Sequence, residues 1–162
     1  MVVWYIISKL DGVLGRTHLQ KMMFLTDLLS SKKFQKPISV MEYKKYHYGP
    51  YTQDLAEYTS FLEGKGLIEE RELTFISDAS KKYSRFYSKK PFTDKSLLIK
   101  AAGGADQAML IDEVIGSYGN MGLQDVLDIV YGLQDTSAKG FNDPFEFARK
   151  MGETKKTEEP PF

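Results

Sequence analysis

YHYGPYTQDLAEYTSFLEGKGLIEE, from Tyr46 to Glu70, decides how the chain is read. Its first residues are aromatic or small, which suits an extended path, and Gly49-Pro50 forces a change of direction. Beyond that turn Leu55, Tyr58 and Leu62 recur at helical spacing, which predicts a helix over Tyr51 to Glu63 with these three side chains facing inward. Gly64 and Gly66 end it, and the period then changes. Leu67, Ile68, Leu73 and Phe75, followed by Tyr83, Phe86 and Tyr87, flank the polar connection Ser77 to Lys82 as the strands of a hairpin do.

Upstream, the apolar run from Val2 to Leu10 predicts a helix stopped at Asp11-Gly12, where glycine supplies the turn conformation. Thr17 is an acceptable N-cap for a second helix, in which Leu19, Met22, Met23, Leu25 and Leu29 form an inner face as far as Ser30. Pro37 breaks any helix, so Lys32 to Tyr48 is expected to be a strand or ordered loop. Downstream, Ala108, Ile111, Val114, Ile115 and Tyr118 mark one helix and Leu123, Val126, Leu127, Val130 and Tyr131 the next, and the two are expected to pack as a hairpin. Asp143, Pro144 and Glu146 before Phe147 carry the spacing of a capped, short last helix. The order helix, helix, extended segment, helix, hairpin is that of a winged helix. The expected fold class is therefore α+β, mostly α: one domain over residues 1–152, with a helix-turn-helix core and β-hairpin wing in 1–92 and C-terminal helices in 93–152. ETKKTEEPPF, residues 153–162, lacks periodicity and is expected to be a disordered tail.

Composition narrows the function. With 42% apolar and 13% aromatic residues, a chain of 162 residues can bury a real core. There is no cysteine, which excludes disulfides, thiolate metal sites and a cysteine nucleophile and suits the cytoplasm. MVVWYIISKL lacks a basic leader and is shorter than the roughly 20 residues a membrane helix needs, so it reads as a core helix and no membrane role is expected. The two histidines, His18 and His47, fall on different elements without clustered carboxylates, and their expected roles are an exposed first-turn residue and a half-buried strand residue. Gly64-Lys65-Gly66 follows a helix, where a phosphate loop precedes one, and Gly103-Gly104 reads as a hinge. Glu69-Glu70 and Asp112-Glu113 are adjacent in sequence, so their side chains diverge and read as solvated faces. Tyr43, Tyr46, Tyr48 and Tyr51, with Met22-Met23, are expected to fill the core more than to form a binding surface. No catalytic residue, cofactor or metal site is expected, and the chain is expected not to be an enzyme.

The net charge is zero, but the charges are segregated along the chain. Ser31 to Tyr48 sums to about +4 and Lys81 to Lys100 to about +6, whereas Ala101 to Ala138 sums to about −6. On a winged helix, Lys44, Lys45, Lys81, Lys82, Arg85, Lys89 and Lys90 are the candidate phosphate contacts. The helix that would enter the groove argues the other way: it carries Asp54, Glu57 and Glu63 and no cation, and would repel phosphates. Gln53, Asp54 and Glu57 on that helix are the candidates for contact with a protein partner.

GRTHLQKMMFLTD, Gly15 to Asp27, together with the Tyr46 to Glu70 stretch, resembles the YwgA-like proteins. The arrangement of Leu-Gln-Lys helix, Gly-Pro and a second helix ending in Gly-Leu-Ile is more loosely similar to the Panacea, or SocA-like antitoxin, superfamily. The carry-over is confined to Leu19, Gln20, Lys21, Gly49, Pro50 and Leu55, and brings no active site. It implies a winged-helix-like regulator or antitoxin, in some relatives an adaptor that presents a partner to a protease. Two functions stand: a DNA-binding regulator, narrowly favoured for its basic wing, or an antitoxin or adaptor that binds a protein. The separated charges also leave room for a homodimer.

Overall fold

The computed structural model of the chain describes residues 1–147. The expected tail, 153–162, lies outside them. The fold is α+β, about half helical, with two small antiparallel hairpins.

Helix α1 spans Val2–Lys9 and buries Val2, Val3, Tyr5, Ile6 and Ile7. Helix α2, Arg16–Phe34, is the central element, and α5 (Ala105–Tyr118) and α6 (Leu123–Gly132) both lean on it. It is capped by Gly15, not Thr17. A Cβ on Gly15 would sit 2.9 Å from the Ser84 carbonyl, so the close approach of that backbone selects glycine at the helix start. α2 also passes Ser30 by a turn, and Gln35 ends it in the left-handed conformation. Most of its surface is covered, so α2 buries polar residues together with apolar ones.

Strands β1 (Lys44–Tyr46) and β2 (Gly49–Tyr51) pair about a two-residue turn, with Gly49 at φ +81°. Helix α3, Gln53–Gly64, follows Thr52 and buries Leu55 and Leu62, with Tyr58 half-buried against the core. Strands β3 (Ile68–Thr74) and β4 (Lys82–Ser88) make the long hairpin at the place read from the sequence. Helix α4, Lys95–Ala102, was hidden by its lysines; Asp94 caps it, accepting from the Leu97 N–H at 3.0 Å.

Two expectations about the C-terminal part are overturned. α5 and α6 do not form a hairpin with each other, because each packs chiefly on α2. Residues 143–147 are not helical either. Phe145 N–H donates to Tyr43 O and Lys45 N–H to Asp143 O, both at 2.9 Å, so the segment runs antiparallel along β1. Phe145 and Phe147 then pack against Phe24, with Phe147 also edge-on to Tyr43. Burial of two aromatic rings and main-chain pairing outweigh a local capping pattern. α7 (Gln134–Ser137) is the last helix among the described residues.

Candidate binding cleft

Gln20 and Lys21 are buried on α2, and their side chains reach across to the backbone that joins β2 to α3. The Gln20 amide accepts from Thr52 N–H at 3.0 Å and donates to Thr52 O at 2.8 Å, as a paired strand would. Lys21 Nζ donates to Pro50 O at 2.7 Å. Two side chains thus fix the direction in which α3 leaves the hairpin. Burial without a carboxylate partner pulls the Lys21 pKa down to about 8.

Around this junction opens a cleft of about 440 Å³, with Leu19, Gln20, Lys21 and Leu55 on its walls and Tyr48 and Tyr51 at its mouth. The tyrosine ladder is split by strand alternation. Tyr43 is buried, whereas Tyr46, Tyr48 and Tyr51 are exposed, contrary to the core role read for them; Met22 and Met23 are fully buried as expected. Tyr46 lies 5.6 Å from the Tyr51 ring and 5.2 Å from Phe141, giving an aromatic rim. On the far side Arg16 holds Glu70 through two hydrogen bonds of 2.5 and 3.0 Å.

Further along α2 is a polar cluster that sequence reading passed over. Asp27 is fully buried and accepts from Ser39 N–H at 2.7 Å, Ser39 Oγ at 2.5 Å and Tyr43 OH at 2.9 Å. Desolvation still raises its pKa, the hydrogen bonds opposing the shift. The only sequence signal was a lone acid between the apolar pairs Phe24-Leu25 and Leu28-Leu29 of a helix.

The candidate phosphate contacts do not form one free basic surface. The hairpin from Ile68 to Ser88 carries four carboxylates and four cations. Lys82 pairs with Glu72 at 2.7 Å and Lys81 lies 3.8 Å from Asp78. Arg71 pairs with Glu69 at 3.0 Å, and Arg85 stacks 4.7 Å over Tyr83. Lys45 Nζ donates to Lys139 O at 2.6 Å and Thr136 O at 3.3 Å, at the end of α7. Lys44, Lys89 and Lys90 are exposed, with Lys44 on the other hairpin. Gln53, Asp54 and Glu57 are exposed on α3, where Tyr51 OH donates to Gln53 and Asp54 accepts from Glu42 N–H.

His18 is buried, not exposed, with Nε2 3.4 Å from Tyr118 O, and His47 is exposed beside Tyr46 and Phe141. Asp112-Glu113 is exposed as expected, Asp112 also accepting from Tyr5 OH at 2.5 Å, whereas Glu69-Glu70 is half-buried and Glu70 holds Arg16. Among the described residues no group of three or more His, Asp or Glu is placed to hold a metal ion, and no helix is long and apolar enough to cross a membrane.

The motif residues Leu19, Gln20, Lys21, Gly49, Pro50 and Leu55 therefore meet at one junction, whereas the candidate phosphate contacts are spread over two hairpins and the segment after the second. The family model described as antitoxin SocA-like, Panacea domain, matches residues 19–134. The chain belongs to the SocA-like Panacea family. The match begins at Leu19 and takes in the cleft, both hairpins and α3 to α6, so it reaches well past the half of the chain that carries the sequence resemblance. It falls on the Panacea likeness and not on the YwgA-like one. No curated protein and no solved structure matches the chain.

Proposed function

We propose that this Panacea-family chain is a non-catalytic, antitoxin-type or adaptor-type protein of the cytoplasm that acts by binding a protein partner, on a winged-helix-like half built from α1 to β4. The observation that carries the reading is the balance of charge on the long hairpin. A wing that binds the DNA backbone needs cations free to replace counterions. Here Lys81, Lys82 and Arg71 each face a carboxylate of their own hairpin. The exposed face of α3, with Asp54 and Glu57, repels phosphates as well. Membership of a family described as antitoxin-like supports a protein as the partner. The exposed aromatic rim offers the kind of side chain on which protein interfaces are anchored.

Two measurements on the full chain decide between the readings. Mixed duplex DNA is titrated by gel shift at low and moderate salt, and the chain is co-expressed with the product of the neighbouring reading frame and sized by chromatography. The expected result is no shift at low salt, where phosphate attraction is strongest, together with a stoichiometric complex that relieves growth arrest by the neighbouring product. A low-salt shift abolished by Lys81→Glu, Lys82→Glu and Arg85→Glu, with no complex formed, would overturn the proposal.

A further inference from the structure

The cleft holds a positive charge that nothing in its walls matches. Lys21 is 2% exposed, its one hydrogen bond is to the Pro50 carbonyl, and among the described residues no carboxylate stands within ion-pair distance of Nζ. An ammonium carries three N–H donors, and a carbonyl uses one of them. The acid closest to hand on the wall, Glu70, is held bidentately by Arg16. Gln20 spends both ends of its amide on Thr52. The other walls carry no charge: the apolar floor of Leu19 and Leu55, the exposed rings of Tyr46, Tyr48 and Tyr51, and the hydroxyls of Thr17, Thr59 and Ser60.

The missing counter-charge defines the ligand. A buried cation is expensive unless paired, so an incoming anion gains from the desolvation the fold has already imposed. One free ammonium with Arg16 already engaged suits a single carboxylate; a phosphate dianion is met elsewhere by several donors at once. The rim is open, with Arg16, Tyr46 and Ser60 exposed around it, so the occupant continues beyond the cleft as a chain does. We propose that the cleft receives an extended segment of the partner protein, with the carboxylate of an Asp or Glu side chain on Lys21 Nζ and a neighbouring apolar side chain seated between Tyr48 and Leu55. This rests on the protein-partner reading above and adds to it the site and its chemistry.

The test uses a random linear heptapeptide phage library panned on the full chain, on Lys21→Met and on Tyr48→Ala. An enriched peptide is then synthesised with its acid and with the matching amide, and titrated calorimetrically. The expected result is a consensus with one acidic residue beside an apolar one, bound at least tenfold more weakly by Lys21→Met and in the amide form, and several-fold more weakly by Tyr48→Ala. Tyr48 is 65% exposed, so its substitution leaves the core intact and the test stands even if Lys21→Met folds poorly. No acidic consensus, or equal affinity of acid and amide peptides, overturns the proposal. Peptides that bind all three proteins equally would sink the cleft while leaving a protein partner in place, and a neighbouring-product complex that survives Lys21→Met unchanged would do the same.

Discussion

Among the ionisable side chains that helix α2 buries, Lys21 and Asp27 are held in opposite ways. Asp27 is surrounded by donors from residues 39 and 43, so each oxygen is met and the cluster pins the segment after α2 onto the helix. Lys21 has one acceptor and faces a cleft. The same helix therefore has a closed polar cluster toward its C-terminal half and an open one toward its N-terminal half. Burial of a charge is structural where its hydrogen bonds are complete, and available for binding where they are not.

The sharpest way to break this contrast is at the closed end. Asp27→Ala strands Ser39 N–H, Ser39 Oγ and Tyr43 OH in the interior, and is expected to lower stability by about 3–5 kcal/mol in urea unfolding, as the loss of a buried charged partner does. A loss below about 1 kcal/mol would mean the cluster is not closed. The open end is probed by pH. Lys21 has a folded pKa of about 8 against 10.5 unfolded, so its contribution is fully present above the unfolded value and is lost as pH falls through the folded one. Wild type is thus expected to gain on the order of 3 kcal/mol relative to Lys21→Met between about pH 7 and 11. Parallel pH profiles for the two proteins would show that Nζ is not desolvated. The smallest effect is expected at Gln20, whose two hydrogen bonds are both to the neutral backbone of Thr52, so that its loss leaves no charge unpaired. Gln20→Ala is expected to cost about 1–2 kcal/mol, with faster hydrogen exchange at Thr52 N–H. Unchanged exchange there would separate Gln20 from the positioning of α3.

The uneven legibility of the chain follows the same division. Helices α1 to α3, α5, α6 and the long hairpin were readable because their apolar spacing is local. The importance of Gln20, Lys21, Gly49 and Pro50 was readable as a pattern, though its reason, side chains of one element clamping the backbone of another, was not. Charge summed along the sequence misled, because Lys82 finds Glu72 only once the strands are in register. Asp27 was passed over since nothing in its neighbours on the helix reveals Ser39 and Tyr43 closing on it. Tyr46 and Tyr48 looked like core aromatics because composition cannot tell the two faces of a short strand apart. Pro144 satisfied a helix-start pattern that lost to pairing with β1, a contact from the other end of the fold.

That last contact has a kinetic consequence. Lys44 and Pro144 are most of the described chain apart, with α3, the long hairpin and α4 to α6 lying between them in sequence. Contacts of such separation form late, because the loop entropy of everything between them has to be overcome first. The outer edge of β1 is therefore expected to pair late in folding, after the small hairpin itself.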